Sequence, residues 1–284
     1  MGDMLHSIHT GPQSPTQGLL TMAASSHATV LHLLRQAIAG REHVDTIHAI
    51  RTHCRRLQAL LELYGEAKRA RAVAACVRRL SKLRALQVFR QYVIRCHAGR
   101  KDVAVVDGRL TKQIRKLNHT EAYRRIEQVV STQALPAILS PPQSWNRRLD
   151  ELRQEHECAL KQLIAAASDK PRRKRLHALR LALKTIRYQT EWLPGRTAAK
   201  EEMLSQLKRV QSLLGKYEEL ADFHRWGKKL SLPVRKRMKK DWKRARKRAR
   251  HLPGTMSWLL DALASGHVWS GEGLHVASVN RRSV

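Results

Sequence analysis

Acidic and aromatic residues are scarce in this sequence. Its 284 residues include 23 Asp and Glu against 55 Lys and Arg, giving a formal charge of +32, and only 5% are aromatic, with two Phe. Few aromatics leave few platforms on which nucleobases stack among basic residues. Sparse carboxylates argue against a two-metal hydrolase. The four cysteines (Cys54, Cys76, Cys96, Cys158) are widely spaced without a CxxC and read as reduced core thiols, so an oxidising compartment is not implied. The N-terminus lacks the basic n-region of a secretory signal. Residues 4–34 contain no Asp, Glu, Lys or Arg, yet His, Ser, Thr, Gln, Gly and Pro interrupt the apolar residues throughout, which excludes a membrane span there. The chain reads as soluble and cytoplasmic.

Catalytic motifs are missing too. A P-loop needs GxxxxGK[ST], but Gly215-Lys216 is followed by Tyr217 and Gly227-Lys228 by Lys229, with no glycine at the upstream position. HExxH fails because Leu160 stands where the second His belongs. The 15 histidines do not form a metal site by spacing: His43, His48 and His53 are five apart, which scatters them around a helix. Neither a metal, a cofactor nor catalysis is expected.

What is abundant is apolar residues, at 42%, and the good helix formers Leu, Ala, Arg, Lys and Gln. The expected fold is all-α. Residues 1–24, with GPQSPTQG, read as a flexible leader, and Ser25 or Ser26 as the first N-cap. Helices are expected over 26–39, 42–64, 66–97 and 108–131 in a first half (25–132), with Gly40, Gly65, Gly99 and Gly108 as breaks. Residues 133–144, inside the uncharged proline-rich stretch TQALPAILSPPQS, read as a linker. A second half (145–251) repeats the plan with helices over 145–168, 170–192, 197–229 and 234–251, followed by a C-terminal tail (252–284) with one short helical turn.

The halves carry a matching pattern. Counting from His48 and from His177, position +3 is Arg51 and Arg180, position +7 is Arg55 and Lys184, and position +14 is Glu62 and Glu191. Apolar positions also match: Ile47 with Leu176, Ile50 with Leu179, Leu57 with Ile186. Offsets 0, +3, +7 and +10 lie within roughly 80° on a helix. His48, Arg51, Arg55 and Gln58 therefore form one stripe, and His177, Arg180, Lys184 and Arg187 the other. Ile50, Cys54, Leu57 and Leu61 form the apolar back of the first helix. A solvated helix face usually mixes signs, yet residues 46–61 contain three Arg, two His and no acid. Such crowding of like charge is relieved when an anion fills the space between, and guanidinium grips phosphate oxygens in bidentate fashion.

His48-x-x-Arg51-x-x-x-Arg55-Arg56-Leu57 and His177-x-x-Arg180-x-x-x-Lys184-x-x-Arg187-Tyr188-x-x-Glu191 resemble the two signature helices of the CHAD domain, the conserved histidine α-helical domain. The stretch Leu80 to Val88 is similar to that family's L-G-x-L-R-D-x-x-V, with Ser81 and Ala85 replacing Gly and Asp. Gln211 to Glu219 resembles its Q-x-x-L-G-x-x-x-D, with Glu219 replacing Asp. The resemblance implies two four-helix bundles related by pseudo-twofold symmetry around a basic central channel that binds inorganic polyphosphate, possessed by modules found alone or beside a triphosphate-processing domain. It places Arg180, Lys184 and Arg187 as the main grip, with His177, His48, Arg51, Arg55 and Arg56 assisting, and adds Arg84 and Lys208 near the other motif segments. Glu62 and Glu191 are expected to orient basic side chains, and Tyr188 to pack. Polyphosphate granules are the corresponding location.

Unspecific nucleic-acid binding is the rival reading. The segment 234–251, VRKRMKKDWKRARKRARH, is a dense basic run able to bind a phosphate backbone by counterion release. No helix-turn-helix, zinc-finger or RNP-type motif accompanies it. A membrane-surface role is ranked last, because packing on its own bundle accounts for the apolar stripe Val234, Met238, Trp242, Ala245 and Ala249.

Overall fold

Regularly spaced Leu, Ile, Val and Ala, interleaved with Arg and Lys, make each segment a helix with one face that must be covered. A computed structural model describes residues 15–41, 44–132, 145–193, 195, 197–266 and 268–269, and among these residues it contains helices and no strand. The helices are α1 (Pro15–Ile38), α2 (Val44–Leu63), α3 (Ala67–Arg79), α4 (Ser81–Arg95), α5 (Arg100–His119) and α6 (Ala122–Ser131), then α7 (Trp145–Asp169), α8 (Arg173–Trp192), α9 (Ala198–Lys229), α10 (Arg235–His251) and α11 (Ser257–Ala264). The expected linker 133–144 lies outside the described residues.

The all-α expectation is met, with several boundaries corrected. α1 starts at Pro15, so Ser25 and Ser26 sit inside it, and Ser26 is buried instead of capping. The helix expected over 66–97 is divided at Leu80, and the one expected over 108–131 begins at Arg100 and is divided at Thr120–Glu121, where Glu121 takes φ 49°. Gly108 is no break but an interior residue of α5, because a helix tolerates one glycine at a cost of about 1 kcal/mol. Gly65 does stop α2. At φ +76° it lets Glu66 N–H bond to Leu61 O (2.8 Å) and its own N–H to Glu62 O (3.1 Å), a Schellman closure that Gly40 repeats after α1.

α2 and α8 carry the repeated stripes, and they pack directly on one another. The apolar back of α2 is buried as spaced, with Ile50, Cys54, Leu57 and Leu61 at 1% exposure or less. Each such side chain contributes about 1.5–3 kcal/mol of burial. Around this pair the main core runs without interruption from α1, α2, α3 and α6 into α7, α8, the first part of α9 and α11. A smaller second core joins Phe89, Tyr92, Val93 and Val106 of α4 and α5 to Leu220 and Phe223 of α9 and Met238 of α10. Both phenylalanines meet there, with ring centroids 5.2 Å apart. Both cores therefore draw on residues from either side of the expected linker.

α10 turns its apolar stripe inward, with Met238 and Ala249 buried and Trp242 and Ala245 packed against the cores. The tail expected from residue 252 is partly built into the body. Met256, Leu259, Leu263 and Trp269 are buried, and Arg153 of α7 donates to Leu263 O at 3.0 Å. Cys54, Cys76 and Cys96 are buried thiols, whereas Cys158 is exposed and is no core residue. No described helix is long and apolar enough to cross a membrane.

Candidate anion-binding site between α2 and α8

Polar contacts at one end of the α2–α8 pair fix its register. Trp192 Nε1 donates to Arg56 O (2.8 Å), Arg56 Nε pairs with Glu191 Oε2 (3.1 Å), and Gln189 Nε2 reaches Glu62 Oε2 (3.5 Å). With this register the two stripes face a common space. Lys184 sits at its centre: burial first, then the guanidiniums of Arg180, Arg55, Arg51 and Arg187, push its ammonium down to about 6. Four arginines from both halves of the sequence thus surround one lysine.

Three of the arginines are held from behind. Arg51 Nη1 donates to Val77 O (2.5 Å) and to Ser81 Oγ (2.7 Å), which ties α2 to the α3–α4 junction. Burial, Arg55 and Arg84 lower its guanidinium to about 10, so it remains protonated at neutral pH. Arg55 is lowered for the same reason, burial leading, with Arg180 and Arg187 adding to it. Arg180 Nη1 bonds Glu218 Oε2 at 3.1 Å. Arg187 lies over the ring of the buried Tyr188 (4.4 Å to its centroid) and 3.4 Å from Glu191. Glu191 therefore orients two arginines, one from each helix, and Tyr188 packs. Glu62 accepts from Gln58 (2.8 Å) and from Gln189.

Placement of the remaining expected residues varies. Arg84, half-buried on α4, joins from a third side, lowering both Arg51 and His48. His48 lies at the edge, exposed on one side, with its imidazole lowered by partial desolvation and then by Arg84. His177 is exposed and bonds through Nδ1 to Glu218. Arg56 is paired with Glu191, the carboxylate that also contacts Arg187. Lys208 is exposed on α9, and among the described residues no contact ties it to the cluster. The cluster proper is Arg51, Arg55, Arg180, Lys184 and Arg187, flanked by Arg84 and His48.

Three supporting residues escape a reading of sequence. Glu218 engages both Arg180 and His177, whereas Glu219 acts on Arg84 by charge. Ser81 is a direct partner of Arg51, a role that a glycine at that position would lack. Gly215, buried inside α9, leaves the room that the Arg180 guanidinium fills. The one available signal was an interior helix glycine, which costs about 1 kcal/mol unless close packing requires it.

A family model described as CHAD domain matches residues 24–228. A crystal structure of the CHAD domain from the plant Ricinus communis is similar to this chain, with a TM-score of 0.53 and 16% sequence identity, over 89% of this chain and 91% of the other. No curated protein matches the chain.

Proposed function

The chain belongs to the CHAD domain family, and on that premise we propose that it binds inorganic polyphosphate in the space between α2 and α8, without catalysing a reaction on it. The observation that carries this reading is the convergence of Arg51, Arg55, Arg180 and Arg187, from both halves of the sequence, on the half-buried Lys184. Holding these cations together unliganded costs mutual repulsion and desolvation, and a chain of closely spaced phosphates relieves both. Arg180, Lys184 and Arg187 are the main contacts, with Arg51 and Arg55 opposite them and Arg84 at the side. Successive turns present a cation about every 5.4 Å, a spacing suited to a linear polyanion. Association with polyphosphate granules follows from this activity.

The exposed basic run of α10 favours unspecific nucleic-acid binding as the second reading. One competition experiment separates the two. Labelled long-chain polyphosphate, bound at about 150 mM salt where the Debye length is about 8 Å, is challenged with single-stranded DNA and RNA at equal phosphate concentration. Poor displacement supports selection of closely spaced phosphates. Equal displacement by all three overturns it in favour of nucleic acid.

A further inference from the structure

A separate concavity opens on the far part of α10. It has a volume of about 550 Å³ and lies between the α7–α8 turn (Asp169 to Arg173), Tyr217, Ala221 and His224 of α9, and Trp242, Arg246 and Arg250 of α10. This is within the size range of small-molecule sites. None of the arginines or the lysine of the α2–α8 cluster lines it. A neighbouring hollow of about 660 Å³ shares Arg246 and Arg250 and adds Lys243, Lys247 and His251.

The charges here are out of balance in a specific way. Asp222 is taken by Arg173 (2.7 Å) and also by Arg225. Asp169 is taken by Arg175 (3.4 Å) and Lys170 (4.0 Å). The only acid of α10, Asp241, accepts from Tyr92 at 2.6 Å, away from the concavity. Arg172, Arg246 and Arg250 are therefore left with no carboxylate in ion-pair range among the described residues.

Arg246 and Arg250 are one turn apart on the same face, an arrangement that is destabilising for like charges unless an anion lies between them. Arg246 is also pre-positioned. Its guanidinium lies 5.6 Å from the Trp242 ring centroid, and Trp242 is stacked on His224 at 5.3 Å with an interplanar angle of 5°. This packing lowers the ordering cost of gripping a ligand. Three unpaired guanidiniums suit a compact group with three or four negative charges, since bidentate pairing with phosphate is their strongest contact.

We propose that this concavity is a second anion site that takes a compact oligophosphate, either free tripolyphosphate or the phosphate chain of a nucleoside triphosphate. The apolar wall of Pro171, Ala221 and Trp242 has room for a ring beside the phosphates. The site is independent of the α2–α8 cluster.

Calorimetric titration of the full chain with tripolyphosphate and with ATP, at about 150 mM salt, tests it. R246A/R250A is expected to weaken both ligands by about tenfold or more, the loss for hydrogen bonds to charged groups, while long-chain polyphosphate binding persists. R180A/K184A should do the reverse. K236A/K240A removes equal charge from exposed positions of α10 outside both hollows and should have little effect. R172A/R250A, which leaves the packed Arg246 in place, should repeat the loss if R246A/R250A fails to fold. ATP binding tighter than tripolyphosphate assigns the apolar wall to the base; equal affinity assigns the site to phosphates alone. Retained tripolyphosphate and ATP binding in the cleft variants overturns the proposal, as does a loss matched by K236A/K240A. A loss of long-chain binding in R180A/K184A is read separately and bears only on the α2–α8 site.

Discussion

Arg180 lies so close over Gly215 that a Cβ on the glycine would stand 3.3 Å from Nη2 and 3.4 Å from Nε of the arginine. An interior helix glycine forgoes about 1 kcal/mol relative to alanine, and here the vacated space is what lets the guanidinium lie against α9 and reach Glu218.

Replacing that glycine tests the arrangement. Gly215→Ala gains helix propensity but pushes Arg180 by a few tenths of an ångström, so its melting temperature should stay near that of wild type while polyphosphate affinity falls severalfold. Gly215→Leu should abolish most binding and lower stability by about 1–3 kcal/mol through overpacking. Both are read by thermal melts alongside titrations.

Lys184 makes binding pH-dependent. Its side chain, held near 6 by burial and four arginines, is mainly the neutral amine in the free protein at pH 7.5. A phosphate beside it raises that value, so up to one proton is taken up on binding. Affinity should therefore rise as pH falls from about 8 towards 6 and level off below. Titrations in buffers of different ionisation enthalpy measure the proton uptake, and K184M should eliminate it.

The same residue affects stability of the unliganded protein. Its folded value lies below the ordinary 10.5 of an unfolded lysine, so the unfolded chain binds more protons between the two values. This contribution to stability is fully present above 10.5 and is lost as pH falls towards 6. K184M should be more stable than wild type near pH 6, and the difference should shrink at pH 10, as followed by urea unfolding at the two pH values.

Ser81→Ala removes one of the two acceptors of Arg51 Nη1 and leaves Val77 O as the other. A stability loss of about 1 kcal/mol is expected, with a small drop in affinity because Arg51 loses its orientation. Denaturant midpoints check the first and titrations the second.

Long-chain polyphosphate should raise the melting temperature, and equimolar monophosphate should not, because only a ligand spanning several cations binds tightly at that concentration. R180A/K184A/R187A should lose most of the rise while its unliganded melting temperature holds or increases, since two crowded guanidiniums and a desolvated lysine are gone. A full rise in the triple variant would remove the α2–α8 site from consideration.

Much of this was readable along the chain, because local signals act over a few residues. Apolar spacing identified the buried back of α2, Gly40 and Gly65 marked helix ends, and the repeat aligned Arg51 with Arg180 and Arg55 with Lys184. The divisions at Leu80 and Glu121 carry no glycine or proline to announce them. Gly108 misled for the opposite reason, as a lone glycine that its helix absorbs.

What the sequence determined by itself is the material of the site: an all-helical chain, a charge far from balance, and two stripes with apolar backs, all consequences of residue type and helical period. Which cations share one space, and which carboxylates stand behind them, was decided by tertiary packing. Lys184 meets Arg55 because α2 docks on α8, Glu218 meets Arg180 because Gly215 lets α9 approach, and Arg56 is paired with Glu191. These are contacts between residues far apart in the chain. They exist only once burial of the helix backs has set the register, and no periodicity within a single helix encodes them.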